Sequence, residues 1–114
     1  MKQRLLVMNG QRLLQTEQDN KWQNTKVDKA GLLKPGIYNL YLSSQTSKTE
    51  RHEGVILYAD KDYIYQQVGK AYVKHDRADF DKVPEIGSTK AIEYRQGRAV
   101  VTTPAIKQGR GLSR

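Results

Sequence analysis

The sequence predicts a mainly β protein with little helix, folded as a small bent sheet or SH3-like barrel with an added N-terminal hairpin. Three observations carry that expectation. An Asn-Gly pair, Asn9-Gly10, sits between two short apolar runs. Five short β-prone runs separated by tight turn signals crowd into the stretch from Val55 to Thr103. No window shows the apolar period of a long amphipathic helix.

Each element follows from local chemistry. Arg4 to Met8 and Gln11 to Gln15 flank Asn9-Gly10, the pair that most readily supplies the two positive φ angles of a tight hairpin. Thr16 to Gly31 is polar, with Trp22 and Val27 as its apolar anchors, and reads as loop with one helical turn. Pro35-Gly36 turns the chain into a strand from Ile37 to Leu42, with Ile37, Asn39 and Tyr41 on one face and Tyr38, Leu40 and Leu42 on the other. Ser43 to Glu50, rich in Ser and Thr, is expected as an exposed connection.

The second half alternates strand and turn. Val55 to Ala59 is an apolar strand, Asp60-Lys61-Asp62 a turn, and Tyr63 to Val68 a strand with Ile64, Gln66 and Val68 on one face. Gly69-Lys70 turns into Ala71 to Lys74, a helical turn is expected around Phe80, and Ala91 to Tyr94 and Arg98 to Thr103 flank the Gln96-Gly97 turn. Strands this short and this close minimise exposed edges by bending into a barrel-like sheet. The expected organisation is a hairpin and strand in residues 1–50 packed on a β domain in 51–103, followed by a flexible basic tail, 104–114.

Composition excludes several classes of chemistry. The chain of 114 residues contains no cysteine, which removes disulfides, thiolate nucleophiles and Cys-based metal sites, and agrees with a reducing compartment. The apolar run after Met1-Lys2-Gln3-Arg4 is too short for a signal peptide, and nothing approaches the ~18 apolar residues that span a bilayer. A cytoplasmic protein without membrane contact is the expectation. No Gly-rich phosphate loop and no Gly-x-Ser-x-Gly elbow is present, so the expectation is a non-enzymatic protein without cofactor.

The order Glu53-Gly54-Val55-Ile56, Tyr65-Gln66-Gln67-Val68-Gly69-Lys70, Val73-Lys74-His75-Asp76-Arg77, Phe80, Val83-Pro84-Glu85-Ile86-Gly87 and Ile92-Glu93-Tyr94 with Gly97 resembles the KfrB domain of conjugative and broad-host-range plasmids. The likeness runs from about Gly54 to Val101, with Leu33 to Tyr41 as an N-terminal extension. It implies a plasmid-linked accessory role in maintenance, partition or conjugation within a multiprotein system, with no assigned reaction.

The site candidates are weighed against structural roles. His75-Asp76-Arg77 combines an imidazole, a carboxylate and a guanidinium, but strand neighbours point apart, and His75 is expected to hydrogen-bond a backbone carbonyl and organise the following turn. Asp60/Asp62 and Asp76/Asp79/Asp81 lack the pattern of a calcium loop, and His52 with His75 alone cannot complete a transition-metal site, so no metal is expected. Tyr65, Tyr72, Lys74, His75 and Arg77 are the candidates for docking a plasmid-encoded or conjugation-apparatus protein through an exposed tyrosine-bearing sheet face.

Nucleic acid is the alternative partner. The net charge of +8 favours polyanions, but residues 51–103 hold nine Lys/Arg against eight Asp/Glu, so the excess lies at the chain ends. A DNA- or RNA-binding protein would use Lys70, Lys74, Arg77, Lys107, Arg110 and Arg114. A third alternative is an inhibitor of conjugation or of host defence.

Overall fold

In the computed structural model, which describes residues 2–104, the chain forms two β-sheets and no closed barrel. The mainly β expectation holds. The first sheet comprises β1 (Gln3–Met8), β2 (Gln11–Gln18), β3 (Lys21–Lys29) and β4 (Gly36–Tyr38), in the order β3-β2-β1-β4. The second comprises β5 (Ser44–Gln45), β6 (His52–Ala59), β7 (Tyr63–Val68), β8 (Ala71–Asp76), β9 (Thr89–Arg95) and β10 (Arg98–Thr102), in the order β10-β9-β6-β7-β8-β5. Among the described residues no helix is long and apolar enough to cross a membrane.

Asn9 and Gly10, at φ of 52° and 75°, close the β1–β2 hairpin as the sequence predicts. The loop expected from Thr16 to Gly31 is instead the end of β2 followed by the whole of β3. Asp19 and Asn20, at φ of 52° and 65°, make a second turn of the same kind without a glycine, because Asp and Asn tolerate the left-handed region. β3 lacks apolar alternation because it is an edge strand with mostly exposed side chains, and Lys21, Lys26 and Lys29 discourage pairing with another chain.

The strand expected from Ile37 to Leu42 stops at Tyr38, and Leu40–Leu42 form a 3₁₀ turn. That turn drives Leu40 into the space between the sheets, where it is buried. The connection after it is not wholly exposed as expected. Ser44 and Gln45 pair in parallel with Val73 and Lys74, and the Thr46 amide donates to the Lys74 carbonyl at 2.9 Å.

Both faces of the second sheet are buried, against different things. Leu57, Tyr58 and Tyr65 meet Leu5, Val7, Leu14, Leu33 and Leu40 between the sheets. On the opposite face Ile56, Ile64 and Ile92 are covered by Phe80, with Val83 and Ile86 packed alongside. β6 serves both cores because its pairing with β7 slips between Ile56 and Tyr58. This bulge sends the successive residues Leu57 and Tyr58 to the same core, which strict alternation forbids.

Candidate functional site

The sequence-predicted site residues scatter over three environments. His75 is fully buried, Tyr65 is only 7% exposed and Tyr72 is half-buried against the core between the sheets. Cross-strand pairing of Tyr65 with Lys74 and of Gln67 with Tyr72 puts these side chains on one face, as alternation predicts. That face is covered by the first sheet, which corrects the expectation of an exposed docking face. Arg77 is exposed, but its guanidinium donates to the Asp60 carbonyl at 3.0 Å and its amide to the Asp62 carbonyl at 2.9 Å, fastening the β6–β7 turn. Lys70 lies exposed in the β7–β8 turn, away from the others, and Lys107, Arg110, Arg114 and nearly all of the expected tail lie outside the described residues.

His75 belongs to a closed polar network. The Gln66 side-chain amide donates to the backbone carbonyls of Lys90 at 3.0 Å and of His52 and Gly54 at 3.3 Å. Three carbonyls around Nε2 fix which end of the amide is nitrogen, so Oε1 must be the acceptor for His75 Nε2–H at 2.9 Å. The other ring nitrogen, Nδ1, is then unprotonated and accepts the Tyr94 hydroxyl at 2.7 Å. His75 is therefore a neutral, doubly satisfied core histidine. It bonds two side chains rather than the backbone carbonyl that was expected, and Gln66, which the sequence did not single out, holds the carbonyls.

Burial lowers the His75 imidazole from its ordinary 6.5 to about 4, with His52 lowering it further and Asp79 opposing. Between those two values the unfolded chain binds more protons than the folded one, so stability rises with pH there. Stability should be complete above the ordinary histidine range and should fall as pH drops from about 6.5 through about 4, by on the order of 3 kcal/mol. Urea denaturation across that range should show this slope in the wild type and lose most of it in His75→Gln; equal slopes in both would refute the assignment.

Two open features are better placed to meet a partner. The first is the outer face of the first sheet. Val27 pairs with Leu13, Leu13 with Leu6 and Leu6 with Ile37, so one row of four aliphatic side chains crosses all four strands. Val27 is 54% exposed, Ile37 51% and Met8, beside Leu6 on the same face of β1, 44%. The signal was present as two doublets: Leu5-Leu6 and Leu13-Leu14 on facing strands must place one leucine of each pair inward and one outward.

The second is a cleft of about 300 Å³ at the edge between the sheets, lined by Lys2, Gln3, Tyr41, Ser43, Tyr65 and Lys74 among others, with no carboxylate. It brings Tyr65 and Lys74 together and leaves out His75 and Arg77. Lys74 Nζ lies 4.6 Å from the Tyr63 ring centre, Lys2 Nζ 5.4 Å from that of Tyr41, and the Arg4 guanidinium 4.2 Å from that of Trp22. Burial, reinforced by the Asp60 carboxylate, pushes the Tyr65 phenol up to about 12, so it is a neutral hydrogen-bond donor there.

These features define a small two-sheet β module with an open aliphatic face on its first sheet and a cation-bearing cleft at the edge between the sheets. A family model, the KfrB Domain, matches residues 51–103. The chain is also 34% identical over 102 residues to Protein TraB of Escherichia coli, an alignment covering 86% of this chain and 69% of that protein. The chain belongs to the KfrB domain family.

Proposed function

We propose that the protein is a non-enzymatic, plasmid-linked accessory module that docks onto another plasmid-encoded protein through the outer face of its first sheet. Membership in the KfrB family and the likeness to Protein TraB support a plasmid-related function. The row Val27-Leu13-Leu6-Ile37 carries the docking reading. A contiguous apolar row on an open sheet is the kind of surface that a protein partner covers. Its rim is polar, with Gln11, Gln15, Lys29 and Arg4 paired on the same face around the aliphatic centre. The burial of His75 with both ring nitrogens bonded supports a binding role over proton-transfer chemistry.

The test is binding between the purified protein and individually purified products of the same plasmid. Burying the exposed halves of Val27 and Ile37 contributes roughly 1 kcal/mol each, and an unpaired carboxylate in the interface adds a desolvation cost, so the double variant Val27→Asp/Ile37→Asp should weaken the complex by on the order of a hundredfold. Tyr72→Ala, behind the covered face, should leave affinity nearly unchanged. A double variant that binds as well as the wild type would remove this surface from consideration. Replacing the wild-type gene by the double variant and measuring plasmid transfer then reports whether the partner serves conjugation.

A further inference from the structure

The cleft and its neighbours form a strip that none of the sequence-derived residue sets describes. Along it run Arg4 against Trp22, Trp22 6.0 Å from Tyr41, Lys2 against Tyr41, and then across the cleft Lys74 against Tyr63. Three cations, each against an aromatic ring, thus run from the end of the first sheet onto the second. None of the ion pairs among the described residues uses Lys2, Arg4 or Lys74. Their charge is free to meet an anion.

Two further observations point to the class of anion. Tyr41 is 41% exposed although it touches both a cation and an indole, so part of its ring is open to stacking. The Ser43 hydroxyl, in the cleft wall, is buried without a hydrogen-bond partner, as is expensive unless something from outside completes it. A ligand that offers acceptor oxygens to Ser43, negative charge to Lys2, Arg4 and Lys74, and flat faces to Tyr41 satisfies all of these at once. Single-stranded nucleic acid has that chemistry, since its bases expose their faces while its backbone carries one charge per nucleotide. A duplex hides those faces, and an acidic peptide offers one only where it carries an aromatic side chain.

We propose that this strip is a binding path for single-stranded nucleic acid, with phosphates on Lys2, Arg4 and Lys74 and a base stacked on Tyr41. Arg4 borders the aliphatic row Val27-Leu13-Leu6-Ile37, but Lys2, Tyr41 and Lys74 line the cleft and none belongs to that row, so variants at these three and at Val27 and Ile37 can fail independently. Trp22 is the one tryptophan in the chain and reports on the strip directly. Titrating the full-length protein with oligothymidylate should quench its emission. The logarithm of affinity should fall with the logarithm of salt concentration with a slope of about −2, from three cations at ~0.7 each.

Lys2→Gln and Lys74→Gln should each reduce that slope by about 0.7. Tyr41→Ala should weaken binding roughly fivefold or more, the loss of one stacked base. Unchanged denaturation midpoints verify that each variant folds, and if Lys74→Gln fails this, the exposed Lys2→Gln carries the same test. Binding of polyglutamate or of a duplex as tightly as oligothymidylate would overturn the proposal. So would affinity that survives all three strip variants but vanishes in Arg110→Gln/Arg114→Gln.

Discussion

Replacing Gly54 by alanine is expected to destabilise the protein by about 4 kcal/mol or more, a large fraction of the stability of an ordinary domain. A Cβ at this position would lie 1.8 Å from the Gln67 carbonyl oxygen and 2.8 Å from its carbon, both backbone atoms of β7. Neither strand can yield cheaply. β6 sits between β9 and β7 in the middle of the sheet, and Gly54 is also paired with Lys90 of β9. The ordinary cost of overpacking, ~1–3 kcal/mol, assumes that side chains can rotate away, which a carbonyl cannot. Gly69→Ala is the control: a Cβ there meets nothing within 4 Å and pays only for its positive φ of 60°, about 1 kcal/mol. Chemical denaturation of both variants tests the contrast, and a Gly54→Ala protein within about 1 kcal/mol of the wild type would mean that β6 and β7 are further apart than described.

The near-isosteric Gln66→Glu should cost about 3 kcal/mol or more at neutral pH, although it changes one NH₂ group to oxygen. Gln66 Nε2 is surrounded by the carbonyls of His52, Gly54 and Lys90, so a carboxylate would turn an oxygen on three acceptors in a dry interior. Its other oxygen could still accept from His75, which makes the substitution a test of the amide's orientation rather than of the histidine bond. Gln66→Leu should cost a similar amount by orphaning the His75 Nε2–H together with those carbonyls, and its effect should not add to that of His75→Leu because the two share a bond. Full additivity of the pair, or a neutral Gln66→Glu, would contradict the network.

Much of the strand framework was legible in the sequence. Asn9-Gly10 specified its hairpin, and Tyr63 to Val68 was read with the bounds that β7 has. Alternation also assigned Tyr65, Tyr72 and Lys74 to a common face. What alternation cannot say is which face another sheet will cover, and here the first sheet lies over the tyrosines and converts a presumed surface into core. β3 was missed because an edge strand without apolar alternation gives no periodic signal and its turn lacks glycine. The site was less legible than the fold. Lys2 with Arg4, Trp22, Tyr41 and Lys74 come from four separate places in the chain, and only the placing of the first sheet's end against the second brings Lys74 to the others. Gln66 was placed on one face with Ile64 and Val68, but nothing local reveals that three carbonyls from two other strands converge on it.

Each sheet is a continuous stretch of chain: strands β1 to β4 end before strands β5 to β10 begin. The family match at 51–103 begins after β5 and takes in β6 to β10 alone. That portion is therefore half-clad, since Leu57, Tyr58 and Tyr65 owe their shelter to residues 5–40. Taken alone, the matched portion would leave that flank open to water. The amino-terminal sheet closes it, a built-in companion on one side that leaves its own outer side for the next.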